Sequence, residues 1–191
     1  APFIVPAMGS HGGGTAEGQT RILAGYGVTP EKIGAPVKSS LETVCLGETE
    51  EGISVFVDKN AYDSDGIVLV NRIKPHTDFQ GTYESGLLKM ITIGLGKIDG
   101  ASSFHGWVMT YPHHQLLQSI SQVVFETGKI LFGVAILENA YHETAKIELI
   151  PGWKISEREK ELLPEAKKLM PALPVEQADV LIIDQIGKDI S

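Results

Sequence analysis

The stretch GIVLVNRIKPHTDFQG, residues 66–81, carries the reading on which the fold turns. Its first half, Ile67-Val68-Leu69-Val70, is short, apolar and β-branched, the pattern of a central strand buried on both faces. Its second half, within a loop from Asn71 to Gly81, is polar and stiffened by Pro75. Ligands of α/β proteins gather at the C-terminal ends of strands, so His76 stands where chemistry is expected. Asp78, two residues on, could orient its ring by accepting a hydrogen bond.

Upstream, Ile4-Val5 reads as a strand ending in the loop Gly9-Ser10-His11-Gly12-Gly13-Gly14. Thr15 is placed to cap a helix that runs to about Tyr26 and stops at Gly27 and Pro30. Thr43 to Leu46 and Ile53 to Val57 bracket the polar tip GETEEG, which predicts a hairpin. Downstream, Leu87 to Ile93 has helical spacing, and Gly94, Gly96 and Gly100 break it. A helix is predicted over 113–127, strands over 130–137 and 145–150, a charged helix over 156–169, and a final buried strand over 180–183. Strands alternating with helices, plus one hairpin, give an α/β class: a layered mixed sheet flanked by helices.

The 191 residues suffice for one sizeable core and at most two small domains. A hydrophobic content of 42% and a mean hydropathy of +0.04 describe a soluble globular chain. No apolar run approaches the roughly 18 residues that span a bilayer, which argues against membrane partners. The opening APFIVPAMGSH lacks the parts of a secretion signal, and Cys45 is the only cysteine, so a cytoplasmic location is expected. The net charge of -8 disfavours nucleic acid. One basic cluster interrupts that field. Arg72, Lys74, Lys89 and Lys97 outnumber Asp78 and Glu84 over residues 72–97, enough to hold a small anion.

The glycine-rich stretches do not match nucleotide fingerprints. Gly94 to Gly100 has the wrong spacing for a dinucleotide loop, and Gly9 to Gly14 lacks the lysine and hydroxyl of a P-loop. His11, like His76, follows a predicted strand, among glycines that let a ligand approach the backbone. Each reads either as an exposed loop histidine or as a general acid/base. Two imidazoles with near-neutral pKa suit proton exchange on opposite faces of one carbon. Lys89, in GLLKMI, reads equally as a lysine covering apolar surface or as a desolvated, nucleophilic amine. His105 is a sensible nickel or zinc ligand that makes no metal site alone. His113 and His114 open a predicted helix and read as structural or surface residues.

Together, FIVPAMGSHGGGTAEGQ, VNRIKPHTDF, ESGLLKM and IGLGKIDGASSFH resemble the lactate racemase family, most strongly from Pro2 to His105. The lysine-to-histidine interval, 105 - 89 = 16, fits the family pattern. The resemblance implies a racemase or epimerase acting on a 2-hydroxy acid or sugar acid through proton-coupled hydride transfer. It implies a nickel-pincer nucleotide, pyridinium-3-thioamide-5-thiocarboxylic acid mononucleotide carrying nickel, with the cofactor-synthesis proteins as partners and a small anionic hydroxy acid as substrate. Lys89 resembles the covalent attachment lysine, His105 the nickel ligand, and His11 and His76 the acid/base pair. Arg72 or Lys74 could contact a carboxylate or the cofactor phosphate.

The loop bearing His76 is longer than in lactate-specific members, which leaves the hydroxy acid open. Both ends read as cut. Residues 1–170 are expected to be the main part of a catalytic α/β domain lacking its N-terminal segment. Residues 171–191 would then be a hinge, near Pro164, Pro171 and Pro174, and the start of a C-terminal domain. A cofactor-holding arginine would precede Ala1, a substrate-binding lysine and glutamine would follow Ser191, and Lys188 does not match that lysine. Two other classes compete: a non-catalytic metal- or anion-binding module of the same fold, and a zinc or iron hydrolase using His11, His76 and His105.

Overall fold

A computed structural model of the chain describes residues 1–172, 175, 177 and 179–185. Its elements in order are α1 (Ala16–Gly25), α2 (Pro30–Ile33), β1 (Thr43–Glu48), β2 (Ser54–Asp58), α3 (Lys59–Tyr62), β3 (Ile67–Arg72), α4 (Leu87–Lys89), α5 (Lys97–Trp107), α6 (His113–Glu126), β4 (Ile130–Glu138), β5 (Thr144–Pro151) and α7 (Ile155–Leu169). A π-helical segment, Met90–Gly94, continues α4.

The class is mixed α/β. Strands β3 and β4 pair in parallel, and β4 turns back antiparallel into β5. Strands β1 and β2 form a separate antiparallel hairpin, shifted in register between Cys45 and Gly47. The helical path from Leu87 to Trp107 lies between these two sheets: α4 packs on β3, α6 and α7, and α5 packs on β2. The core is continuous through this path. It runs from Leu69, Ala135 and Leu137, through Leu87, Leu88 and Ile91, to Val55, Val57 and Phe104.

Four expectations need correction. Strand β3 is at the sheet edge, and its burial alternates: Leu69 is buried while Val70 is 57% exposed. Only one face of the three-stranded sheet is covered, so the apolar run Ile67–Val70 is buried on one side only. Ile4 forms one parallel bridge to Val37 rather than a strand. Pro164 lies inside the continuous helix α7, so the chain does not hinge there. Val180 to Ile183 is neither strand nor buried, with Ile182 83% exposed; among the described residues it pairs with no strand. Leu173, Pro174 and Lys188 lie outside the described residues.

The helical segment ends at Gly94, as its glycines predict, and a turn at Leu95 and Gly96 leads into α5, which runs on through Gly100. Lys97 adopts φ +55, a left-handed conformation uncommon for a residue with a Cβ. A straight helix would separate residues 89 and 105 by about 24 Å. Here the π turn and the Lys97 reversal fold the path so that the charges of both Lys89 and His105 reach His113.

Candidate active site

The loop after β3 is built around one buried carboxylate. Glu84 accepts from the backbone N–H of His76 at 2.8 Å and of Gly81 at 3.2 Å, and pairs with Lys167 Nζ at 2.6 Å. Burial disfavours its charge, but these donors outweigh it and hold the Glu84 pKa below the usual carboxylate value. Glu84 thus fixes the backbone that presents His76.

The His76 ring is half-buried and stacks on Phe79, with centroids 4.1 Å apart. Its Nδ1 accepts the backbone N–H of Asp78 at 3.1 Å, so a neutral ring carries its proton on Nε2. The orienting group is thus the Asp78 amide, where the carboxylate was expected: two residues is the reach of a local turn. Burial, then the Lys89 charge, push the His76 pKa below its ordinary value.

Phe79 stacks its ring on His113 as well, again at 4.1 Å. Phe104 stands edge-on to His105 at 5.6 Å and tilted against His113 at 5.9 Å. His76, Phe79, His113, Phe104 and His105 therefore form one continuous array of rings. Its His113 pKa is lowered, first by burial and then by the His105 and Lys89 charges, although Asp78 opposes this.

Lys89 borders the array at the end of α4, half-buried. Burial, then the Lys74 charge, lower its pKa. Among the described residues its ammonium has no salt-bridge partner. The start of α4 is held from afar: Glu159 of α7, 2% exposed, accepts from Leu88 N–H at 3.0 Å. A Cβ on Gly86 would stand 2.4 Å from Glu159 Oε1, so a side chain there would push this carboxyl aside. Burial raises the Glu159 pKa to about 7 despite the two helix amides.

A raised carboxyl pKa means that the folded chain binds the proton more tightly than the unfolded chain. Stability from this group is then full below about pH 4.5 and declines as pH rises to about 7. The fall is on the order of 3 kcal/mol. In Glu159→Gln, which keeps an oxygen for Leu88, this part of the decline should vanish. Urea unfolding of both proteins at pH 5 and pH 8 tests it, and equal slopes would contradict the assignment.

His11 sits apart. It is exposed, in a loop whose Gly9 N–H donates to Gly94 O at 3.1 Å and whose Gly14 approaches Ile98. The loop thus rests on the bend between Lys89 and His105, but among the described residues no side-chain contact joins His11 to the ring array. Of the two supporting cations, Lys74 is near enough for its charge to lower the Lys89 pKa, whereas Arg72 pairs with Glu138 at 2.7 Å across the sheet. The structure therefore brings together His76, Lys89, His105 and Lys74, adds His113, and leaves Arg72 outside. His113, read from the sequence as a structural or surface residue, is half-buried and forms one face of the Phe79 sandwich.

Among the described residues, no three His, Cys, Asp or Glu side chains converge as a metal-holding set. A hydrolase centre made of His11, His76 and His105 is not assembled. Nor, among them, is any helix long and apolar enough to cross a membrane.

No functionally curated protein matches the chain in sequence. The structure is similar to that of the lactate racemase apoprotein from Thermoanaerobacterium thermosaccharolyticum, with a TM-score of 0.65 at 16% identity. The match covers 83% of this chain and 40% of that one, so the chain spans less than half the length of that racemase. The sequence profile of the lactate racemase N-terminal domain matches residues 3–116, well over half of the 191 residues, and the chain belongs to that family.

Proposed function

We propose that this chain provides the cofactor-holding and proton-transfer side of a nickel-pincer-dependent racemase or epimerase acting on a 2-hydroxy acid or sugar acid. One observation carries the reading. A half-buried amine, Lys89, stands beside a second cation, Lys74, and next to two imidazoles of lowered pKa, with no carboxylate paired to it among the described residues. Uncompensated positive charge in a partly desolvated place suits an anionic group that can bond to an amine.

The residues fit the pincer nucleotide. Lys89 would hold it through the thioamide, His105 would offer a single imidazole to the nickel, and Lys74 would face its anionic groups. A hydrolytic metal needs three protein ligands, whereas this cofactor asks the chain for one. When bound, it supplies the hydride acceptor and donor for the substrate carbon.

The chain's part is position and protons. The neutral His76 ring carries its proton on Nε2, because its Nδ1 accepts from the Asp78 amide. In that state it donates to a substrate oxygen. A small rotation that trades the Asp78 amide for the Asp78 carboxylate would reverse the tautomer and free Nε2 as a base. His11, on its separate loop, is the second acid/base group, reaching the substrate from another side. The cytoplasm, where the cofactor-synthesis proteins would load Lys89, is the proposed location.

The test is production of the full-length enzyme together with those proteins. Intact mass should show an adduct on Lys89, and elemental analysis about one nickel per chain. His11→Ala and His76→Ala should each keep the nickel and slow racemisation by about a hundredfold or more. Metal without an adduct would favour a different metalloenzyme, and neither metal nor adduct a non-catalytic module.

A further inference from the structure

Among the described residues, one fully buried charge belongs to a lysine outside the ring array. Lys97 and Asp58 are each 0% exposed in their side chains, and Lys97 Nζ lies 3.2 Å from Asp58 Oδ2. The ammonium also donates to Pro6 O and, at 3.2 Å, to Gln19 Oε1. Gln19 is likewise fully buried. Its amide is oriented by that contact: the oxygen faces the ammonium, so the nitrogen faces away. Gln19 Nε2 then donates to Gly9 O at 2.8 Å and to His11 O at 3.3 Å.

The network joins two parts of the site that make no direct side-chain contact. At one end is the His11 loop. At the other is the backbone reversal at Lys97, halfway between Lys89 and His105, since 97 - 89 = 8 and 105 - 97 = 8. A left-handed conformation on a residue with a Cβ is held only where its surroundings over-determine it. The Lys97 side chain supplies the reason, anchoring the reversal to Asp58 of β2, to Pro6 and to Gln19 of α1. Close packing reinforces the loop, because a Cβ on Gly18 would stand 1.8 Å from Gly12 O.

We infer that Lys97 and Gln19 are positioning residues that hold the His11 loop in register with the bend carrying Lys89 and His105. The inference rests on the proposed role of His11 as an acid/base group. The geometry of the network stands independently of that role, and the experiment separates the two.

Amide hydrogen exchange in the 191-residue chain reads the network directly. In Gln19→Leu, exchange at Gly9, His11 and Gly14 should quicken about tenfold, while β3 and β4 stay within about twofold of the parent. Gln19→Glu keeps an oxygen for Lys97 but offers the two carbonyls no donor at neutral pH, and should loosen the same amides. Unchanged loop exchange in both variants overturns the inference. So does acceleration spread evenly over β3 and β4, which marks a merely structural residue.

In the loaded full-length enzyme, Gln19→Leu should retain the Lys89 adduct and leave KM within about twofold, while kcat falls by about a hundredfold. Normal kcat with a loosened loop, or loss of the adduct, overturns the link to His11. If the parent enzyme shows neither adduct nor racemisation, the functional reading has failed, and the exchange result alone decides whether the network holds the loop.

Discussion

Replacing Lys89 by alanine is expected to abolish covalent cofactor loading in the full-length enzyme and to reduce racemisation to background. The choice among nearby lysines follows from their surroundings. Lys97 is sealed against Asp58, so its lone pair is out of reach of any ligand. Lys74 is exposed and acts on Lys89 through its charge. Lys89 alone combines partial burial with a lowered pKa, which raises the fraction of free amine near neutrality. Lys89→Arg should fail as completely, because guanidinium keeps the charge and cannot act as the amine nucleophile.

A second readout needs no native cofactor. Pyridoxal phosphate followed by borohydride should label Lys89 first in the unloaded chain, its phosphate drawn by Lys74. Racemisation that survives Lys89→Ala, or an adduct mapped to another lysine, would end the assignment.

How much of this was legible beforehand depends on whether the signal was local. The loop leaving Ile67–Val70 and the histidine within it follow from a short apolar run and one proline, and both fall where expected. Helices α6 and α7 and strands β4 and β5 lie close to their predicted ranges, because their apolar spacing is set by the chain itself. The position of Arg72 was also readable. Residues of a strand alternate between faces, so Arg72 shares the open side with Val68 and Val70. Two placements depend on contacts between distant segments. The helix-face rules leave His113 structural or surface, and its partner Phe79 is brought by the preceding loop. Lys97 belongs in sequence to the basic cluster that could hold an anion, but it is buried against Asp58. Its burial exists only because residues 6, 19 and 58 close around it. No periodicity announces such a contact.

The parts of the site share one construction. Each backbone segment presenting a functional side chain is tied by a buried polar side chain: Glu84 for the His76 loop, Glu159 for the start of α4, Gln19 for the His11 loop. Buried polar groups satisfied by backbone partners rigidify what they touch, at the cost of sensitivity to losing one member. Lys97 is the extreme member, and its removal should have the largest effect on stability.

Lys97→Met is expected to destabilise the chain by about 3–5 kcal/mol, because it leaves the Asp58 carboxylate buried without its countercharge. In a chain of this size that corresponds to a melting temperature lower by about 10 °C or more. Asp58 has a second duty, since its Oδ1 accepts from Ala61 N–H at 2.9 Å and caps α3. The informative partner is therefore Asp58→Asn, which keeps that acceptor and discards the charge. Lys97→Met/Asp58→Asn should recover at least about half of the lost stability, because a neutral pair leaves no bare charge in the core. Unfolding of the four proteins of this cycle, at pH 5 and pH 8, measures the coupling. Additive losses, with no recovery in the double variant, would mean that the ion pair is not what holds the bend, and that Lys97 acts through its bonds to Pro6 and Gln19 alone.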